Sequence, residues 1–240
     1  MKRLSLLTLL FSILSLVFII LLILLRFRFG PYPLVSYQDV FDVLTPLVLI
    51  PVYWLLFRSS SSQPASLAED LAFMVLAALW AQGQGLHLSA NAIDNLIEGL
   101  ARSRVLDIMS TDVYRLTYFF DEGLGHYLWH LGTLGLAALL VYHEWRRPAG
   151  VTTTWWAAIV AGLIYGFCFF CIFLEGQTVV LGLPFAVALV GLTLLRGRAR
   201  LSQQPVLAFF FVTCLVAVVL FAGWGAYWHG FPQFSDVGLI

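Results

Sequence analysis

Long apolar blocks alternate with short polar ones along the whole chain. Residues 4–25 read LSLLTLLFSILSLVFIILLILL, with no charge and no amide side chain. A membrane-spanning helix needs about 20 mostly apolar residues, so this block predicts a first span. A secretory leader is the obvious rival. Its apolar stretch is only about 7–15 residues long and ends in small residues; this block is longer and ends in Arg26 and Arg28. It reads as a retained span. A second span is predicted over 40–57, kinked at Pro46 and Pro51, because each proline removes a backbone donor. After the loop RSSSSQPAS, Ser66 and Glu69 have the spacing of a capping box that opens a third helix over 67–99. Further helices are predicted over 113–145, 153–175, 178–196 and 205–228. The pattern is that of an all-α, polytopic membrane protein, a single domain over 1–240 built as a bundle of seven transmembrane helices, with no internal repeat.

Two of these helices are not apolar all round. A helix advances about 100° per residue. On the third, Gln84, His87, Asn91, Asp94 and Glu98 fall within an arc of roughly 80°. On the fourth, the stretch DEGLGHYLWH contributes Glu122, His126, Trp129, His130 and, further on, Thr133 to an arc of roughly 100°. Cys168, Cys171 and Glu175 share a face of the fifth. The later half of the third helix, the first half of the fourth, Glu175 and His229 all fall at one end of the bundle. Charges inside a bilayer are costly and turn toward an interior cavity or a partner. His143 lies thirteen residues past His130, about 20 Å away along the helix, and with Glu144, Arg146 and Arg147 it is read as part of the opposite membrane interface.

Composition sharpens this. The chain is 61% hydrophobic and only 11% charged, against roughly 25% charged residues in soluble domains, so its solvent is lipid and its first partner the bilayer. Net charge is zero, which leaves no basic field for nucleic acid. Lys2 is the only lysine, which excludes a retinal Schiff base within the bundle. Cys168, Cys171 and Cys214 lie in apolar runs and read as packed thiols. Lys2, Arg3, Arg58, Arg146, Arg147, Arg196, Arg198 and Arg200 fall on one side. Arg26, Arg28, Arg102 and Arg104 fall on the other, with Arg115 at the mouth of the fourth span. The positive-inside rule then predicts a cytoplasmic N-terminus and an outside C-terminus, in a plasma or inner membrane. Tyr114, Tyr118, Trp224, Tyr227 and Trp228 read as an interfacial aromatic belt. The tail WGAYWHGFPQFSDVGLI is apolar for a free end. It either folds back over the outer opening, bringing His229 and Asp236 toward the cluster, or is a disordered terminus.

The spacing Glu122-x3-His126-x3-His130 sets three donors one turn apart, and two histidines at i, i+4 are one way to hold a transition metal. His87 and Glu175 are the candidates for the remaining ligands. Three protein ligands and a water would make a catalytic zinc-type site; iron also suits a mixture of histidine and carboxylate. Asp121 or Asp94 would then be the general base, with Gln84, Asn91, Trp129 and His229 as substrate-binding or accessory groups. The same residue types also serve as hydrogen-bonding contacts between membrane helices.

Seven spans with this His, Asp, Glu and Ser inventory resemble, in architecture, the superfamily of alkaline ceramidases and adiponectin-receptor-like proteins. That resemblance implies a metal-dependent membrane hydrolase acting on lipid amides. The family pattern has Ser-x-x-x-His in an early span, Asp in the next and His-x-x-x-His in the last. Here the early helix reads His87-x-x-x-Asn91, the His-x-x-x-His pair is His126 and His130 in the fourth span, and the seventh offers only His229. No catalytic role therefore transfers from the family. The expected function is a metal-dependent membrane enzyme, a hydrolase of a lipid or amphiphilic substrate at an outward-facing site between spans three, four, five and seven. A proton-coupled transporter or channel is the first alternative, and the apolar inner halves of spans three to seven speak against it. A haem or non-haem iron redox protein is the second, with His87 and one of His126 or His130 as axial ligands. A non-catalytic assembly or sensor protein is the third.

Overall fold

Small polar residues on the first helix explain how the bundle closes. On α1 (Arg3–Leu24) the buried side chains Ser5, Thr8, Ser12 and Ser15 recur every three or four residues and form one stripe. The Ser12 and Ser15 hydroxyls each donate to the carbonyl one turn back, at 2.8 Å. Their polarity is thus spent inside the helix while their size lets neighbouring backbones approach. α1 packs on α2 (Tyr37–Ser59) and on α6 (Trp155–Glu175). At the centre Phe11 stands edge-on to Tyr53 at 4.6 Å and to Tyr165 at 4.7 Å, a geometry that aromatic quadrupoles favour.

The computed structural model describes residues 3–25, 27–31, 36–102 and 110–239, with backbone alone at 95 and 98–102. Lys2, Arg26 and Arg104 of the charge count, the Glu98 and Arg102 side chains, and Ile240 lie outside the described residues. The remaining helices are α3 (Leu67–Arg102), α4 (Asp112–Tyr118), α5 (His126–Arg146), α7 (Val179–Leu192) and α8 (Pro205–Trp228). A π-helical turn, Phe119–Gly125, joins α4 to α5 without a break, and α7 continues through a second, Thr193–Gly197, into a short 3-10 turn. Seven helical segments are long and apolar enough to cross a membrane, and no strand occurs among the described residues. The protein is an integral, multi-pass membrane protein.

Helix boundaries follow the caps. The expected box at Ser66 forms: its N–H donates to Glu69 at 2.7 Å, and the Glu69 N–H returns to its hydroxyl at 3.3 Å. A second box, Ser36 with Asp39, starts α2 three residues earlier than hydropathy alone predicts. α2 runs through both Pro46 and Pro51 as one continuous helix. The principal pairings are α3 with α5, α6 with α8, α1 with α2 and α6, α2 with α3, and α7 with α8. Arg3, Arg58, Arg147 and Arg200 mark one end of the bundle, the arginine end. The other, the histidine end, carries His87, Asp121, Glu175 and the tail.

Candidate functional site

The site begins with a seam of glycines. A Cβ on Gly125 would lie 2.9 Å from the His87 nitrogen and 2.7 Å from the Phe120 carbonyl oxygen. One on Gly83 would meet the Gly125 carbonyl oxygen at 2.7 Å, and one on Gly132 the Trp80 nitrogen at 2.6 Å. Backbone therefore rests on backbone where α3 crosses the π turn and α5, as small residues permit in membrane helices. This contact makes spans three and four neighbours, as the candidate site requires.

The π turn aims the carboxylates. Its hydrogen bonds run i to i+5, which widens the helix and shifts the angular register of the residues in it. Asp121, off the polar arc of a regular α-helix, comes to be almost fully buried, and its Oδ1 lies 2.6 Å from His87 Nδ1. The His87 side chain keeps 18% of its surface exposed while that of Asp121 keeps 2%. Beside this pair, Glu122 Oε2 approaches His126 Nδ1 to 3.4 Å without hydrogen-bonding geometry. The rings of His87 and His126 stand 4.3 Å apart, with Trp129 about one ring further at 6.0 Å from His87.

α2 adds a residue that the sequence reading passed over. Asp42 is buried; its Oδ1 and carbonyl accept from Gln84 Nε2 at 2.6 and 3.0 Å, and Gln84 in turn accepts from Trp80 Nε1 at 2.8 Å. Asp42 lies within electrostatic range of both His87 and His126. The signal was present: a carboxylate one turn past the Asp39 cap, inside an otherwise apolar span. Asp42, Asp121 and Glu122 thus face His87 and His126, drawn from α2, α3 and the α4–α5 helix.

Other predicted members stand elsewhere. His130 is fully buried, with Nδ1 bonded to the Thr178 hydroxyl and its ring against Phe173 at 4.7 Å. Its ring is parallel to that of His126 at 5.7 Å, so the two do not converge on a common point. Glu175 turns to the tail: it accepts from the Phe234 N–H and the Ser235 hydroxyl, both at 2.9 Å. His229 caps α8 in a left-handed conformation (φ 54°) and is exposed. Asn91 and Asp94 continue up the same stretch of α3, half-buried and engaged in interactions of their own. The tail does fold back, but onto α6 and α8: Trp224 Nε1 donates to the Pro232 carbonyl at 3.0 Å, and Phe234 packs on Trp224 at 5.0 Å. Asp236 closes its own turn on the Gln233 N–H rather than joining the cluster.

Among the described residues, no three His, Cys, Asp or Glu side chains stand as a group that could hold a metal ion. His87 Nδ1 is engaged by Asp121, His130 Nδ1 by Thr178, and the Glu175 carboxylate by the tail. In this arrangement those atoms are not free for a zinc or iron ion. What the cluster does offer is acid–base chemistry. Glu122 Oε2, His126 Nδ1 and His130 Nε2 are buried without hydrogen-bond partners, in a protein interior where such groups are normally paired.

The arginine end holds a second cluster. Glu69 bonds His143 Nδ1 at 3.1 Å and both its carboxylate oxygens accept from Arg147. Glu144 accepts from the N–H groups of Val206 and Leu207 at 3.1 and 2.8 Å, capping α8. His143 and Glu144 are buried to 1% and 0% exposure, packed inside the protein at the arginine end, away from His87 and His126. Cys168 and Cys214 are buried in the core as expected, and all three thiols are free. Compared with known proteins, the chain matches no family model, no curated protein and no solved structure.

Proposed function

We propose that the protein is a membrane enzyme that performs acid–base chemistry on a lipid or amphiphilic substrate, with hydrolysis as the reaction class. The observation that carries this reading is the His87–Asp121 pair: a partly accessible imidazole held at 2.6 Å by a buried carboxylate, with a second imidazole 4.3 Å away. Asp121 would fix the ring and stabilise its charged form, which leaves His87 Nε2 to take a proton from water as the oxygen adds to a carbonyl carbon. The Glu122–His126 pair, not yet committed to any hydrogen bond, would return a proton to the leaving group. Asp42 and Gln84 would hold α2 against this site. Substrate would arrive from the bilayer, since the site is set among lipid-facing helices. The architectural resemblance to the alkaline ceramidase and adiponectin-receptor-like superfamily points to lipid amides in particular. The same reading places the arginine end in the cytoplasm of a plasma or inner membrane, with the histidine end outward.

A proton relay uses the same groups. Between His130 and His143, however, the buried face of α5 is Leu134, Leu136, Ala137, Leu140 and Val141, which carry no titratable group toward the other end. The test is to incubate detergent-purified protein with phospholipids, ceramides and N-acyl lipids and to follow released acyl chains and headgroups by mass spectrometry. Product is expected with the wild type and a loss of about 100-fold or more in His87→Gln, the usual scale for a general base. No product from any lipid class, or equal product from His87→Gln, contradicts the proposal. Proton flux into vesicles that is lost in the same variant would assign the cluster to a relay instead.

A further inference from the structure

The serine-rich loop between α2 and α3 borders two hollows at the arginine end. One, of about 200 Å³, is lined by Arg58, Ser61, Ser62, Gln63 and His143, among others. The second, of about 220 Å³, is lined by Arg3, Leu4, Arg58, Ser59 and Ser61, among others. Arg58 and Ser61 belong to both, so the two hollows share part of their lining.

The charges around them are unevenly committed. Glu69 is taken up by Arg147 and His143. Asp70 reaches Arg58 only at 3.4 Å, with the two side chains 40% and 35% exposed, a contact that water screens. Arg58 also lies over the Trp54 ring at 5.4 Å, which holds its plane and leaves guanidinium N–H groups for another acceptor. His143 lines the first hollow, with its Nδ1 already engaged by Glu69. Arginine and serine hydroxyls around a small hollow are a donor set that binds a phosphate. Position selects a lipid as its source. Leu4 lines the second hollow, and Leu6, Leu10 and Leu55, on the two helices that carry Arg3 and Arg58, are exposed within about two turns of them. A phosphate in the hollow would have its acyl chains against those leucines.

We propose that these hollows bind the phosphate of an anionic lipid headgroup at the arginine end of the bundle. The site is separate from the histidine cluster and stands whether or not the proposed enzyme activity does. A lipid held there would tie α1, α2 and the 60–66 loop to one another at the membrane surface, since basic pockets between helices hold anionic headgroups by charge and hydrogen bonding together.

Native mass spectrometry on delipidated full-length protein tests this, with phosphatidylglycerol and phosphatidylcholine added in separate samples. Phosphatidylglycerol is expected to bind preferentially, and Arg58→Gln to weaken it about fivefold, the scale for one basic residue near an anionic lipid. Because Arg58→Gln also removes the contacts to Asp70 and Trp54, Ser62→Asp provides the second variant. It places a carboxylate beside the hollow from an exposed position and is expected to weaken phosphatidylglycerol binding to a similar degree. A sample with inorganic phosphate separates the two sources of the group. Phosphate at lipid concentration that displaces the phosphatidylglycerol assigns the hollow to a free anion and overturns the lipid proposal. Equal binding of the two lipids, or binding that neither variant weakens, overturns it as well.

Discussion

At the arginine end, Glu69 closes a helix cap, receives Arg147 and bonds His143, so that each of its oxygens is used. At the histidine end, on the same pair of helices, His87 and Asp121 are joined while Glu122 Oε2 and His126 Nδ1 face each other at 3.4 Å without a hydrogen bond. Both clusters are carboxylates and imidazoles between α3 and the α4–α5 helix. One is finished in the manner of a structural network, in which full satisfaction rigidifies. The other is left with Glu122 Oε2 and His126 Nδ1 unpaired, which the proposed function explains as groups kept for chemistry at some cost in stability.

The largest loss of stability is expected at the glycine seam on which the histidine cluster depends. Gly125→Val would drive a side chain into the His87 backbone and the Phe120 carbonyl. We expect a loss of about 3 kcal/mol or more, the upper range for overpacking, read as a large drop in the melting temperature of purified protein. The next largest effect belongs to the arginine end. Glu69→Gln leaves Arg147 and His143 without their anion; with Arg147 28% exposed on its side chain, water recovers part of the loss, and about 2 kcal/mol is expected, below the range for fully buried pairs. Glu144→Gln keeps one acceptor for the α8 N–H groups, and about 1 kcal/mol should go, visible in the same melt. Glu175→Ala removes the acceptor for Phe234 and Ser235 while leaving the tail's aromatic packing. A cost of about 1 kcal/mol and faster carboxypeptidase trimming of the tail are expected; unchanged trimming would show that the Glu175 contacts do not hold it.

Much of the fold was legible in the residues. Apolar blocks of spanning length place all seven helices, and Ser66 with Glu69 marks the start of α3. The polar stripes on spans three and four predict the helices that pair, because costly groups must face one another. The rest depended on information that hydropathy does not carry. A π turn is a change of hydrogen-bond register, invisible to periodicity, and it turns Asp121 rather than Glu122 to His87. Asp42 was hidden because one carboxylate hardly alters the mean hydropathy of its span. Glu69 was read as a cap, but its partner Arg147 is 78 residues away, and only the packing of α3 against α5 brings them together. Glu175 lies at the same end of the bundle as His126, yet level does not decide neighbours: α6 packs on α1 and α8, which carries Glu175 to the tail.

The most direct test of the contrast needs no substrate. Glu122→Gln and His126→Gln, each melted beside wild type and Glu69→Gln in one detergent, compare the cluster proposed for chemistry with the fully paired one. If the histidine cluster is kept for chemistry, both histidine-end variants stay within about 0.5 kcal/mol of wild type or gain stability, as changes at functional sites do, while Glu69→Gln melts well below. Melting temperatures for Glu122→Gln and His126→Gln that fall as far as that of Glu69→Gln would contradict it, and the histidine cluster would then be a structural contact between helices.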